Sequence, residues 1–184
     1  MALVSLRPET DDELVARAVE GDVASLSELV LRHRDDWFTL ALRLLGDREI
    51  AADVTQETAI RVWTSIESFR RESTFSTWTY RIVVNTSWTQ RRRAKRLATT
   101  PIEHVDDPTH DPLEFHADRL GIRKELSEAL WSLSSANRGV VVLKDVYGWS
   151  HAEVAETLGI TVTAAKIRQH PGRTSLRHQL ESVL

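Results

Sequence analysis

The stretch SHAEVAETLGITVTAAKIRQH, residues 150–170, decides the fold. Ser150 followed three residues later by Glu153 is a capping box, in which each partner satisfies a backbone N–H left over at a helix start. Gly159 supplies the left-handed conformation that a tight turn between two helices needs. Ala155, four residues earlier, is small enough for a second helix to cross closely. Thr161 is placed to cap that second helix. Helical spacing puts Val154, Leu158, Ile160, Val162 and Ile167 in the core beneath, and Thr163, Lys166 and Arg168 outward. The pattern is a helix-turn-helix. Between Thr157 and Leu180 the charged residues are Lys166, Arg168, Arg173 and Arg177, with no Asp or Glu. A helix of that charge in that motif suits the major groove of duplex DNA. The plainer alternative is a helical hairpin with a solvated basic face.

Upstream of this motif the chain also reads as helix. Leu120, Leu126, Leu130 and Leu133 share a face in a helix expected to begin near Arg119, and Val140 to Val146 is a further apolar piece. Before them, residues 99–118 carry Pro101, Pro108 and Pro112 and no helical period, which marks a linker. Its charge is one-sided: Glu103, Asp106, Asp107, Asp111, Glu114 and Asp118 against no Lys or Arg. His104, His110 and His116 lie in it, but their spacing matches no metal site, and a solvated tether is the plainer account.

The N-terminal half holds four helical segments. Leu14, Val15, Ala18 and Val19 form a first stripe, broken at Gly21-Asp22, with Asp22 as the next cap. Leu26, Leu29, Val30, Trp37, Leu40, Ala41, Leu44 and Leu45 make one long amphipathic helix, which Gly46-Asp47 stops. Ala51, Val54, Ala59, Ile60, Val62, Trp63 and Ile66 are expected to form the inner face of a third. After a polar loop around Ser68 to Ser76, a fourth helix runs from about Thr77 to Leu97. It ends in Arg91, Arg92, Arg93, Lys95 and Arg96, with no acid between Thr86 and Ile102. Such crowding of like charge is unfavourable on a helix, so phosphate contact is a natural use. A solvated helix end, helped by the helix dipole, is the alternative. Phe69, Arg70, Arg71, Phe75, Trp78, Tyr80 and Arg81 precede it. Aromatics beside arginines can stack unpaired bases, although the plainer reading, favoured for most of them, is that Phe69, Phe75 and Trp78 are core.

The fold class is therefore all-α, with two small helical domains at residues 1–98 and 119–184 joined by the acidic linker at 99–118. Bulk properties agree. The chain has 184 residues, 41% hydrophobic, with a net charge of −3, enough for two small cores and inconsistent with a uniformly basic coat. The absence of cysteine excludes disulfides, thiolate catalysis and cysteine-bound zinc, and fits a reducing cytoplasm. No segment has the length of a signal peptide core or a membrane span. No nucleophile–base pair, phosphate loop or metal cluster is evident, so neither enzyme activity nor a cofactor is expected.

Taken together, these motifs resemble extracytoplasmic-function sigma factors of the sigma-70 family. The first half carries Asp12 to Leu14, Gly21-Asp22, Ala52-Asp53, Gln56-Glu57, Arg61-Val62-Trp63, Phe75-Ser76-Thr77-Trp78, Tyr80-Arg81-Ile82, Asn85 and the arginine run, similar to the family's sigma-2 domain. The second carries Leu130, Leu133, Arg138, Val141, Leu143, Gly148, Glu153, Ala155, Leu158-Gly159-Ile160, Lys166, Arg168 and Arg173, similar to sigma-4. The resemblance implies that Asp53, Gln56, Glu57 and Arg61 dock on the β′ clamp helices of the RNA polymerase core, whose β subunit is a further partner. It implies that Arg70, Arg71, Trp78, Arg81, Asn85, Arg91, Arg92 and Arg93 serve the −10 promoter element. It implies that Thr161, Thr163, Lys166, Arg168 and Arg173 serve the −35 element. By the same resemblance the linker passes near the polymerase active centre, and an anti-sigma factor holds the protein inactive.

Three positions depart from the family pattern. Pro171 replaces a basic residue and should end or kink the recognition helix near Gln169 to His170. Ala165 replaces a branched apolar residue. Thr79 replaces an apolar one. Two rival readings compete with a promoter-recognition subunit: a stand-alone helix-turn-helix regulator, which would leave the Asp53 to Trp63 surface without a purpose, and a helical interaction protein that binds no DNA.

Overall fold

A computed structural model describes residues 9–97 and 124–181. The acidic linker, its three histidines and both expected domain boundaries lie outside the described residues, as does the helix start expected near Arg119. The side chains of Lys95 and Arg96 lie outside them too.

All regular elements among the described residues are helical. The first unit consists of α1 (Asp11–Val19), α2 (Val23–Leu45), α3 (Arg48–Ser65), a short 3-10 turn (Ile66–Ser68) and α4 (Phe75–Leu97). Side-chain caps fix the starts. Thr10 and Glu13 form a capping box on α1, the Asp22 carboxylate accepts from the Ala24 N–H at 3.2 Å, and the Asp47 carboxylate accepts from the Ile50 N–H at 2.9 Å. Gly46 ends α2 with a φ of 76°, the left-handed cap that lacks a Cβ penalty.

Helix α2 is the hub and packs on α1, α3 and α4. Leu29, Trp37, Leu40, Ala41 and Leu44 on it are fully buried. A buried indole N–H needs an acceptor, and Trp37 finds one in the Thr79 hydroxyl of α4, 3.0 Å away. That hydroxyl donates onward to the Ser76 carbonyl at 3.1 Å. The departure at Thr79 thus has a reason: an apolar residue there would leave the indole unpaired.

The inward row of α3 is Ala51, Val54, Thr58 and Val62. This corrects the expected inner face, because Ile60 is 60% and Trp63 45% exposed. The small Thr58 occupies the inward turn, so the row keeps a three-four spacing and leaves Ile60 and Trp63 outside.

The second unit consists of α5 (Lys124–Ser132), α6 (Ser135–Val141), a π turn (Val142–Val146), α7 (His151–Leu158) and α8 (Val162–Glu181). Leu130, Leu133, Val140 to Leu143, Trp149, Val154, Ala155 and Ala165 form its core.

The two units meet at the end of α2. The Trp131 indole donates to the Leu42 carbonyl at 3.1 Å. The buried Arg138 guanidinium donates to the carbonyls of Leu44 at 3.2 Å, Trp131 at 2.6 Å and Leu133 at 3.1 Å. Cationic donors at a helix C-terminus meet the negative end of its dipole. Burial, then the nearby Arg91 charge, pushes Arg138 down to about 10, which keeps it a cation at neutral pH. Glycine is needed on both sides of this joint: a Cβ on Gly46 would lie 3.0 Å from Cδ1 of Trp131, and one on Gly139 would lie 2.8 Å from Cζ2 of Trp88. Tyr147 completes the joint, accepting from Arg43 at 3.1 Å and meeting Tyr80 edge-on at 5.1 Å between centroids.

Arg138→Met keeps the apolar stem but removes the donors to three carbonyls. It should lower the unfolding free energy by about 3 kcal/mol, measured by urea denaturation. A loss below about 0.5 kcal/mol would show that water replaces the guanidinium.

Candidate nucleic-acid interface

The helix-turn-helix forms as its residues dictate. Ser150 and Glu153 make both capping-box bonds, and the Ser150 hydrogen bonds hold the Glu153 carboxyl below its usual range. Gly159 turns the chain with φ 64°. The Thr161 hydroxyl caps α8, accepting from the Ala164 N–H at 3.0 Å.

Which face of α8 looks outward differs from expectation. Ala165, Gln169 and Gly172 are the buried row. Ala165 is fully buried, and a Cβ on Gly172 would lie 2.6 Å from Val141 Cγ2. These small and polar residues take the core positions, so Val162 and Ile167 do not: they are 42% and 66% exposed. Thr161, Thr163 and Lys166 are exposed and Arg168 is half-buried at the side.

Pro171 does not end the helix, which runs on to Glu181. A proline removes one backbone donor, and a tertiary clamp spans the gap. The Asp145 carboxylate accepts from Gln169 Nε2 at 2.7 Å on one side of the proline. On the other it accepts from Arg173 Nε at 2.9 Å and from Arg173 Nη2. His151 Nε2 lies 2.8 Å from Gln169 Oε1 and adds a second anchor from α7. Arg173, expected at DNA, is thus engaged with Asp145, although its side chain stays 58% exposed. Nothing in the sequence around Pro171 marks Asp145 as its partner.

On the first unit, Asn85, Arg91, Arg92 and Arg93 are exposed on α4, and Arg70 and Arg71 are exposed in the loop before it. Arg71 has φ 57°, an unusual left-handed conformation for a residue with a Cβ. Trp78 is half-buried and stacks on Phe69 at 4.7 Å between centroids. Phe69 and Phe75 are core. Arg81 lies 3.6 Å from Glu156 of α7, so the second unit reaches across this face.

On α3, Asp53, Gln56 and Arg61 are exposed, Glu57 is half-buried, and Arg61 donates to Glu57 at 2.8 Å. An open hollow of about 520 Å³ between α3 and α4 is lined by Asp53, Gln56, Glu57, Ile60, Gln90 and Arg93 among others. The structure therefore brings Arg93 to the acidic α3 face rather than grouping it only with its neighbours. Ile60 and Trp63 add exposed apolar surface that sequence periodicity had assigned to the core. Among the described residues, no cluster of His, Asp or Glu could hold a metal ion, and no helix is long and apolar enough to cross a membrane.

Comparison with known proteins agrees with this geometry. Residues 29–97 match Sigma-70 region 2, and residues 123–176 match Sigma-70, region 4. The chain is 37% identical to the ECF RNA polymerase sigma factor SigE of Mycolicibacterium smegmatis, over 94% of this chain and 70% of that protein. It is 29% identical to SigW of Bacillus subtilis, over 92% of this chain and 96% of the relative. Among solved structures, CnrH in complex with the cytosolic domain of CnrY superposes with a TM-score of 0.60 at 26% identity, covering 95% of this chain and 99% of that one. The sigma factor RpoE bound to the anti-sigma factor NepR from Bartonella quintana shares the fold, with a TM-score of 0.66 at 21% identity over 86% of this chain and 98% of that one. The chain belongs to the extracytoplasmic-function (ECF) sigma factors of the sigma-70 family. It is a transcription-initiation factor that directs RNA polymerase to promoters.

Asp145→Ala leaves the buried Gln169 amide without its acceptor and should cost about 2 kcal/mol. It should also speed amide hydrogen exchange across residues 170–177. Unchanged exchange there would show that α8 tolerates Pro171 without the clamp.

Proposed function

We propose that the two units read the two promoter elements separately, with the α3 face holding the chain on the polymerase. In this reading residues 1–98, 99–118 and 119–184 act as sigma-2, linker and sigma-4. Asp53, Gln56, Glu57 and Arg61, with the exposed Ile60 and Trp63, dock on the β′ clamp helices. Arg70, Arg71, Trp78, Arg81, Asn85 and Arg91 to Arg93 serve the −10 element, and Thr161, Thr163, Lys166 and Arg168 the −35 element. Arg173 acts first as a positioning residue, through Asp145. The β subunit is a further contact, and the protein works beside the polymerase in the cytoplasm.

The observation that carries this reading is the outward face of α8. It presents cations and hydroxyls with no acid between Thr157 and Leu180, on a capped helix-turn-helix whose opposite row is buried. Such a face fits a polyanionic groove. The α4 cations suit a second stretch of DNA, and stacking groups near Trp78 suit unpaired bases. Two weak contacts on one tethered chain reinforce each other through effective concentration. Catalysis belongs to the polymerase, and this chain supplies selection.

We also propose a protein inhibitor as partner. The solved structures of similar fold include complexes with NepR, an anti-sigma factor, and with CnrY. This chain has no cysteine, so any thiol-based signal would be sensed by that partner.

Charge reversal tests the assignment. Lys166→Glu with Arg168→Glu should abolish transcription from promoters that depend on a −35 element and leave core binding unchanged, as read by reconstituted transcription and by co-purification with core polymerase. Undiminished transcription would overturn the role of α8. For α4, replacing Arg91, Arg92 and Arg93 by Ala should reduce the salt dependence of promoter binding by about 0.9 in log–log slope for each phosphate that is no longer neutralised. An identical slope would remove these arginines from the DNA interface.

A further inference from the structure

Ile167 is 66% exposed, more than any other large hydrophobic side chain among the described residues. It stands on α8 one turn after the exposed Thr163 and one turn before the exposed His170. This row lies opposite the buried row of Ala165, Gln169 and Gly172, so Ile167 occupies the middle of the outward face. Lys166 and Arg168 are its neighbours in the chain, and no carboxylate lies on α8 before Glu181.

A branched apolar side chain there gains little from the fold, because most of it touches water, and β-branched residues are weak helix formers. A partner in the groove would give it a use. The surrounding charge selects a polyanion, and in duplex DNA the apolar feature of the major groove is the thymine C5-methyl group. Thr163 carries a methyl group on the same row and could extend the contact.

We infer that Ile167 is a specificity-determining residue that reads a thymine methyl group in the −35 element. The inference rests on the assignment of α8 to that element. It names a base, which basic residues at phosphates cannot do. It also gives the exposed isoleucine a function that a merely solvated helix face lacks.

The test uses the full chain with purified core polymerase. A barcoded template library randomised across the −35 region is transcribed, and the preferred element is read from the transcripts. That element is then rebuilt with deoxyuridine in place of each thymine in turn, which keeps base pairing and removes only the methyl group. At one position the wild-type holoenzyme should lose about fourfold in transcription, the worth of one methyl group kept from water. Ile167→Ala should abolish the difference between thymine and uracil at that position while still transcribing the uracil template. Ile167→Val should retain it. Equal use of thymine and uracil at every position, a preferred element without thymine, or an unchanged ratio in Ile167→Ala would each overturn the inference and leave the assignment of α8 standing. A library with no −35 preference at all would overturn both.

Discussion

The carbonyls at the C-terminal end of α2 bring the negative end of a long helix dipole into the joint between the two units. A buried carbonyl left without a donor is expensive; the Gly46 N–H already meets the Leu42 carbonyl, and the second unit adds side-chain donors. Trp131 takes the Leu42 carbonyl and Arg138 the Leu44 carbonyl, and Arg138 also ties down the Trp131 and Leu133 carbonyls at and just after the end of α5. Gly46 lets the indole approach, because a side chain at that turn would collide with it. One cation thereby meets helix ends of both units, and Trp131, Tyr147 and the Arg81–Glu156 pair join the units beside it.

That joint sets the context of the two helices with basic surfaces. Helix α4 presents cations at its C-terminal end, where the dipole favours them, and α8 presents a basic outward face. The chain as a whole carries −3, so the positive surfaces come from segregation rather than from excess. Glu156 of α7 pairs with Arg81 of α4 across the joint, and Asp145 spends its charge inside the second unit on Gln169 and Arg173. The face of α8 that stays free of acid is the one opposite this clamp.

Local chemistry was legible in the sequence. Asp22, Gly46-Asp47, Ser150 with Glu153, Gly159 and Thr161 each act within a few residues of themselves, and each cap or turn forms where the sequence places it. Periodicity was less decisive where small or polar residues take inward positions. Thr58 in α3 and Gln169 and Gly172 in α8 displace Ile60, Trp63, Val162 and Ile167 outward, a pattern that hydrophobicity alone reads backwards. Contacts across long sequence distance were not legible at all. The Trp37–Thr79 bond spans 42 residues and the Arg138–Leu44 bond 94. The expectation that Pro171 would break α8 met the same limit, since the clamp that carries the helix past it comes from Asp145. For the candidate site, residue types and charge pointed to α3, α4 and α8, while the exposed apolar residues of α3 and α8, Ile60, Trp63, Val162 and Ile167, emerged only from burial.

The central claim is that this chain confers promoter selection on a polymerase that lacks it. Run-off transcription on genomic fragments from its host, using bacterial core polymerase with and without the protein, measures this directly. The account predicts discrete new transcripts that require both proteins, together with weak binding of the same fragments by the chain alone. Tight duplex binding by the chain alone, with no core-dependent transcript, would contradict it and favour a stand-alone regulator.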